Sequence, residues 1–180
     1  MRKIVWEEVE ESKGFESPGA GDYVLRVVSV EDVPKSEYAW FVIDIAEGDF
    51  AGEFSRDFYD GKPYAHRMLL SYKDTALGML KRTMGYFNAS NPGFDAMAAW
   101  NGDLSMFVGR LIGAGVGTEQ RESKATGDEY TALDFFNANL GTVDDARAGA
   151  IKVPEPVMLE KDEPEQAPAP QEDYSDIPFM

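Results

Sequence analysis

Residues 38–46 read YAWFVIDIA, and the alternation of side chains along them predicts a β-strand. The apolar residues on one phase of this strand are Phe41, Ile43 and Ile45. Tyr38 and Trp40 lie on the opposite phase. If the apolar phase fills a protein core, the two aromatic side chains therefore face outward.

More strands are predicted on both sides of this one. Residues 22–33 are rich in β-branched and aromatic residues and predict a long first strand. After residue 46, residues 53–59 predict a third strand, Asp60-Gly61 is a tight-hairpin signal, and residues 64–72 predict a further extended stretch. The first part of the chain is therefore predicted to be a meander of strands.

The pattern changes after Asp74, which is a predicted N-cap. Apolar residues then follow helical spacing at Ala76, Leu77, Leu80, Met84 and Phe87. A short second helix is predicted at residues 95–100. The last predicted strands are residues 104–119 and 129–139, with a polar loop at residues 120–128.

Five strands with one main helix between the third and the fourth is the element order of the oligonucleotide/oligosaccharide-binding (OB) fold. The sequence therefore predicts a mainly β protein with a five-stranded OB barrel. Residues 1–153 would form this domain, with residues 1–19 as an N-terminal extension. Residues 154–180 would form a separate tail.

Composition excludes several classes of protein. The chain has 180 residues, no cysteine and one histidine, His66. Disulfides, thiolate zinc sites and cysteine nucleophiles are thus excluded, and a reducing, cytoplasmic location is expected. There is no basic segment leading into an apolar one near Met1 and no apolar run of about 18 residues, so we expect neither a signal peptide nor a membrane span. No cofactor and no metal are predicted.

Charge is concentrated at the C-terminus. The chain carries 33 acidic and 17 basic residues, a net charge of −16. Residues 154–180 hold eight acidic residues, one basic residue and six of the ten prolines, which leaves a net charge of −9 on residues 1–153. Such a tail cannot bury enough apolar surface to offset its ordering entropy, so it is predicted to be disordered.

The end of this tail carries a motif. Residues 172–180 read EDYSDIPFM, which resembles the acidic tip of bacterial and phage single-stranded DNA-binding proteins. The body also resembles a phage family of OB-fold single-strand binders, through the segments PGAGDY at residues 18–23, DIAEG at 44–48, SNPGF at 90–94 and KVP at 152–154.

The resemblance implies a single-stranded DNA-binding protein of phage replication, recombination or repair. It also implies that the tip recruits replication and recombination proteins through Asp173, Asp176, Ile177, Pro178 and Phe179. By analogy with the family, a homo-oligomer is one expectation. In the bacterial family phenylalanine is the last residue, whereas Met180 follows Phe179 here, so a partner pocket that requires a terminal phenylalanine would bind this tip weakly.

Binding single strands without sequence preference requires aromatic faces for the bases and cations for the phosphates. Tyr38 and Trp40 are the first stacking candidates. On the predicted third strand Phe54, Arg56 and Phe58 share a face and form an aromatic-cation-aromatic row. The alternative is that both phenylalanines are core residues and Arg56 has no part in binding.

Further cations are candidates for phosphate contacts. Lys35 lies in the loop between the first two strands, and Arg121 and Lys124 lie in the loop between the last two. These two loops flank the ligand in OB folds. The strand cations Arg26, Arg67 and Arg110 are also candidates.

Other functions were weighed against this one. An acidic interaction protein or DNA mimic would occupy the DNA site of another protein, and would need carboxylates where Tyr38 and Trp40 stand. A small metal-dependent nuclease would use Asp57 and Asp60 near His66, but chance proximity of acids is expected in so acidic a chain. Residues 113–117, GAGVG, lack the third glycine of a dinucleotide-binding loop and predict close backbone contacts instead. The sequence therefore predicts a protein that is not an enzyme.

Overall fold

The computed structural model describes residues 3–9 and 17–159. The strands in this part of the chain are β1 (Gly21–Val33), β2 (Tyr38–Ile45), β3 (Arg67–Ser71), β4 (Leu111–Glu122) and β5 (Glu129–Gly141). The helices are α1 (Leu77–Ser90), α2 (Ala96–Gly102) and α3 (Val143–Arg147). Short 3₁₀ turns form many of the connections.

The strands form one sheet in the order β3-β2-β1-β4-β5, and every neighbouring pair is antiparallel. β3 also lies against β5, so that the sheet is a nearly closed barrel. Helix α1 lies between β3 and β4 in the chain. The predicted fold class is therefore confirmed, and the arrangement is consistent with an OB fold.

The alternation of β2 decides which of its side chains enter the barrel. Phe41, Ile43 and Ile45 are buried in the core, while Tyr38 and Trp40 are half-buried on the outer face, as predicted. Neighbouring strands and α1 complete the core with Leu25, Val27, Met84, Phe87, Ile112, Ala114 and Val116.

The predicted third strand is wrong. Glu53–Ser55 and Asp57–Tyr59 are 3₁₀ turns, and β3 begins only at Arg67. Gly52 and Gly61, on either side of these turns, have positive φ angles of 76° and 70°, which extended strands do not adopt. The alternating residues Phe54, Arg56 and Phe58 therefore lie in turns and not in a strand. Asp60-Gly61 does not join two strands.

The helical region differs from the prediction only at its boundaries. Asp74 begins a 3₁₀ turn, and α1 starts three residues later. The second helix is confirmed, and the Asp95 carboxylate caps it by accepting a hydrogen bond from the Ala98 backbone N–H. The strand predicted from residue 104 is wrong at its start, because Leu104–Phe107 is a 3₁₀ turn capped by Asp103.

Three alternate glycines of β4 allow other parts of the chain to lie directly on the sheet. A Cβ atom at Gly113 would stand 2.1 Å from the Thr142 carbonyl oxygen, and one at Gly115 would stand 2.5 Å from that of Lys152. At Gly117 the corresponding distance to the Pro154 oxygen is 2.8 Å. These glycines therefore belong to a strand, and the close backbone contacts expected of them are present.

Residues 154–159, which the sequence assigns to the tail, follow the edge of β4. The Val157 backbone bonds to Thr118 and Gln120, and it occupies the edge of β4 beyond the end of β1. The rest of the predicted tail and its tip lies outside the described residues. Within residues 3–9 and 17–159, no helix has both the length and the apolar character needed to cross a bilayer.

Candidate nucleic-acid interface

An aromatic and cationic cluster lies on the outer face of β2 and β3. The ring centroids of Tyr38 and Trp40 are 5.2 Å apart, edge to face. The Arg67 guanidinium lies 3.8 Å from the centroid of the Trp40 ring. We call Tyr38, Trp40 and Arg67 the outer-face cluster.

Strand register brings these side chains together. Arg67 pairs with Val42, and Trp40 pairs with Leu69, so Arg67 and Trp40 are diagonal neighbours across the two strands. Arg67 forms no ion pair with any carboxylate in the described part of the chain. Its charge is therefore held over an aromatic ring and is available to a phosphate.

The predicted row of Phe54, Arg56 and Phe58 does not exist, because the segment is not a strand. Phe54 is buried in the core, as the alternative reading held. Arg56 forms an ion pair with Glu53 at 2.8 Å. Phe58 is 61% exposed, and Lys62 Nζ lies 4.0 Å from the centroid of its ring. Of the three, only Phe58 is an exposed aromatic side chain.

A buried carboxylate fixes the loop that carries these residues. Asp44 accepts hydrogen bonds from its neighbour Ile45, from the Phe54 backbone N–H at 2.9 Å and from the Ser55 hydroxyl. The loop between β2 and β3 is therefore held to the end of β2 rather than left to solvent. Asp44 therefore has a structural role, as the hydrogen-bond acceptor that anchors this loop.

We expect Asp44→Ala to release this loop. The substitution leaves the buried Phe54 N–H without its acceptor, which costs about 1–3 kcal/mol. Limited proteolysis should then cut within residues 46–66 faster than in the unmodified chain, and the melting temperature should fall. Asp49→Ala is the matched control, because Asp49 is exposed in the same loop. Equal proteolysis of the two variants would contradict the role given to Asp44.

The same loop borders an open pocket of about 460 Å³, which we call the loop pocket. Its aromatic walls are Phe54, Tyr59 and His66, and the Phe54 and His66 rings stack at 4.8 Å with an interplanar angle of 5°. Burial raises the pKa of the Tyr59 phenol, Glu53 raises it further, and Arg56 lowers it. Tyr59 therefore keeps its proton at neutral pH and offers a hydrogen-bond donor.

The acids considered for a nuclease do meet at this pocket, since Asp57, Asp60 and His66 all line it. His66 Nδ1, however, lies 2.6 Å from the Ile43 carbonyl oxygen, to which it donates. Among residues 3–9 and 17–159, no group of three or more histidine and acidic side chains is arranged to hold a metal ion.

Lys35 and Lys124 lie in the predicted loops, whereas Arg121, predicted in the second loop, lies in β4 because that strand extends to Glu122. Lys35 is exposed in the turn between β1 and β2, three residues before Tyr38. Lys124 is exposed in the turn between β4 and β5, whereas Arg121 pairs with Glu119 at 3.1 Å. Arg121 therefore needs to exchange a carboxylate for a phosphate before it contributes to binding.

Arg26 and Arg110 lie outside the outer-face cluster. Arg110 precedes β4, and its guanidinium lies 4.3 Å from the centroid of the Phe94 ring. Arg26 is exposed on β1, where it pairs with Leu111 of β4. Arg110 therefore belongs to the β1–β4 side of the barrel, whereas Arg26 also pairs with Asp44 of β2.

Sequence reasoning missed four side chains, of which Tyr64, Tyr130 and Phe136 are exposed and Lys62 is half-buried. Lys62 and Tyr64 lie on the loop between β2 and β3, and Tyr130 pairs with Arg121 at the β4–β5 hairpin. Phe136 is 65% exposed beside a register shift between β4 and β5. Loops flank the ligand in OB folds. The exposed aromatic residues of these loops could therefore have been predicted in the same way as the loop cations.

The geometry thus combines a barrel, an aromatic outer face and two flanking loops that carry cations and aromatics. The predicted docking tip, Asp173 and Asp176 to Phe179, lies outside the described residues. No protein-family model matches this chain, and no curated protein shows significant sequence similarity to it.

Proposed function

We propose that this protein binds single-stranded DNA without strong sequence preference, as a non-catalytic component of phage DNA replication, recombination or repair. The observation that carries the proposal is the outer-face cluster, in which Arg67 lies 3.8 Å over Trp40 beside Tyr38. A planar ring and a planar cation offer a base a stacking surface and offer the adjacent phosphate a positive charge.

The negative charge of the chain is the main objection to this function. Counterion release rewards clustered positive charge, and even residues 1–153 carry a net charge of −9. Salt screens distant acids over about 8–10 Å, so that cations held at the surface act locally. Stacking should therefore supply a large share of the affinity, and the salt dependence should be modest.

Aromatic side chains on the outer face favour DNA binding over DNA mimicry. A mimic presents carboxylates in place of phosphates, whereas β2 presents Tyr38 and Trp40 there. One carboxylate, that of Glu31, does lie opposite Trp40 on β1. A single acid beside two rings and an arginine is the reverse of what a mimic needs.

We expect Trp40→Ala to weaken binding to oligothymidine by about 5- to 150-fold, because stacking on an aromatic ring contributes about 1–3 kcal/mol per base. Fluorescence anisotropy of a labelled strand measures the effect, and a duplex of equal length measures selectivity. Met79→Ala is the control, since Met79 is a large side chain on α1 that is 73% exposed.

Three results are informative. Weaker binding by Trp40→Ala and unchanged binding by Met79→Ala support the outer face as the site. Unchanged affinity in a folded Trp40→Ala variant removes Trp40 from the site. Failure of the unmodified chain to bind oligothymidine overturns the proposed function and leaves the acidic mimic to be tested.

The proposal extends to the tail. Ile177 and Phe179 are apolar anchors in an otherwise polar and acidic segment, which is what a short docking peptide requires. Terminal apolar residues contribute nothing to solubility, so a tail kept only for solubility does not explain them. We infer that the tip recruits replication or recombination proteins.

A further inference from the structure

We propose that the loop pocket receives one unstacked base of the bound strand and prefers cytosine to uracil or thymine. This inference rests on the proposed single-strand binding and adds a base preference to it. A volume of about 460 Å³ lies within the range of about 300–1,000 Å³ typical of small-ligand sites.

The walls of the pocket suit a base. Tyr59 supplies half-buried aromatic surface, and the buried, mutually stacked rings of Phe54 and His66 lie behind it. The Asp44 hydrogen bonds to the loop hold Phe54 and Ser55 in place. The pocket is therefore largely formed before a ligand arrives, which lowers the cost of ordering it on binding.

Its position suits a base of the same strand that contacts the outer-face cluster. His66 lines the pocket, and Arg67, the next residue, covers Trp40. Their Cα atoms are only about 3.8 Å apart, but the buried His66 and the half-buried Arg67 point to opposite faces of the chain. A DNA strand stacked on Trp40 therefore has to pass around the start of β3 to place another of its bases in the pocket.

Two carboxylates decide which base fits. Asp57 and Asp60 line the pocket, and neither side chain has a hydrogen bond or an ion pair within residues 3–9 and 17–159. A carboxylate repels the phosphates of DNA but accepts a hydrogen bond from the N4 amino group of cytosine. Uracil and thymine present a carbonyl oxygen at that position, which a carboxylate cannot bind, and they offer it only the N3–H. These acids therefore discriminate between bases.

A cation at the rim offsets the acids. Lys62 lines the pocket, and its ammonium group is held 4.0 Å from the centroid of the Phe58 ring. It forms no ion pair with a carboxylate in the described part of the chain. The phosphate next to the inserted base can therefore meet Lys62 while the base meets the carboxylates.

The test compares oligodeoxycytidine with oligodeoxyuridine. The two bases differ only in that cytosine has an amino group at C4, whereas uracil has a carbonyl group at C4 and a proton on N3. Strands of about 16 nucleotides cover one OB barrel. Anisotropy titrations at one fixed, neutral pH and one salt concentration should show roughly tenfold tighter binding of oligodeoxycytidine by the unmodified chain.

The double variant Asp57→Asn/Asp60→Asn should lose this preference while it still binds oligodeoxyuridine. Asp49→Asn/Asp74→Asn is the matched control, because it removes the same two charges from exposed sites outside the loop pocket. It should raise affinity for both strands by the same factor and keep the preference for cytosine.

Each of the other outcomes overturns a different part of the proposal. Equal binding of the two strands by the unmodified chain overturns the base preference and leaves the proposed function standing. A cytosine preference that survives in Asp57→Asn/Asp60→Asn overturns the assignment to the loop pocket. No binding of either strand overturns the proposed function and this inference with it.

Discussion

Gly113→Ala should destabilise the protein by about 3 kcal/mol or more, because one methyl group has no room at this position. Its Cβ would stand 2.1 Å from the carbonyl oxygen of Thr142 and 2.7 Å from the carbonyl carbon. Both are backbone atoms, and they cannot rotate away as the end of a side chain can. Either β4 or the start of α3 must therefore shift.

The shift would spread to α3. Thr142 is the N-cap of this helix, and its side chain accepts a hydrogen bond from the Asp145 backbone N–H. The next residue, Val143, is buried with Val24 and Ala146 in a small second core between α3 and the sheet. Moving the cap away from β4 opens this core to water, which adds to the cost of the clash.

Calorimetry or thermal circular dichroism measures the effect. For a domain of this size, about 3 kcal/mol lowers the melting temperature by about 6–12 °C. Gly85→Ala is the matched control, since Gly85 lies in α1 and a Cβ there meets no atom within 4 Å. Alanine at an exposed helix position should raise stability by about 0.4–1 kcal/mol. Two substitutions of the same kind should thus shift the melting temperature in opposite directions, and equal shifts would contradict the close contact.

The strands whose side chains alternate between core and solvent could be predicted from the sequence. β2 is the clearest case. The buried residues Phe41, Ile43 and Ile45 occupy every second position, and this alternation is visible in the order of the residues. The same period places Trp40 and Tyr38 on the outer face, so two of the three residues of the outer-face cluster were placed correctly from the sequence.

The turns that imitate a strand could not be recognised. Phe54 and Phe58 alternate with a cation, but Phe54 enters the core through a 3₁₀ turn and Phe58 remains exposed. The reason is the hydrogen bonding of Asp44, ten residues earlier in the chain, to the Phe54 backbone. A contact over that separation leaves no periodic signal in the segment that it controls.

The rest of the candidate site depends on register and loop closure. Arg67 reaches Trp40 because it pairs with Val42, and a shift of one residue in the β2–β3 register would turn Arg67 to the other face. Lys62 reaches Phe58 because the loop folds back on itself. The sequence analysis predicts Arg67 and Trp40 as separate candidates and does not predict their contact. Lys62 is not among its candidates.

Phe107 is the second test of the fold, and it lies where the sequence predicts a strand and the structure has a 3₁₀ turn. Its ring is fully buried and lies 5.1–5.3 Å, centroid to centroid, from the rings of Phe41, Phe87 and Phe94. The Asp103 carboxylate caps this turn and directs its last residue into the barrel. The aromatic core therefore depends on a residue from a connection rather than from a strand.

Phe107→Ala should cost about 3–5 kcal/mol, because it removes a buried ring and leaves a cavity among three others. Urea denaturation should show a lower midpoint with an unchanged slope, since the surface exposed on unfolding is nearly the same. Met106→Ala, at a side chain that is 51% exposed, is the neighbouring control and should change stability by no more than about 0.5 kcal/mol. If the two variants lose equal stability, Phe107 is not in the core as described.

The folded fraction of Phe107→Ala should still bind oligothymidine like the unmodified chain, whereas Trp40→Ala should bind weakly with a smaller loss of stability. That reversal separates the residues that hold the barrel from those proposed to contact DNA.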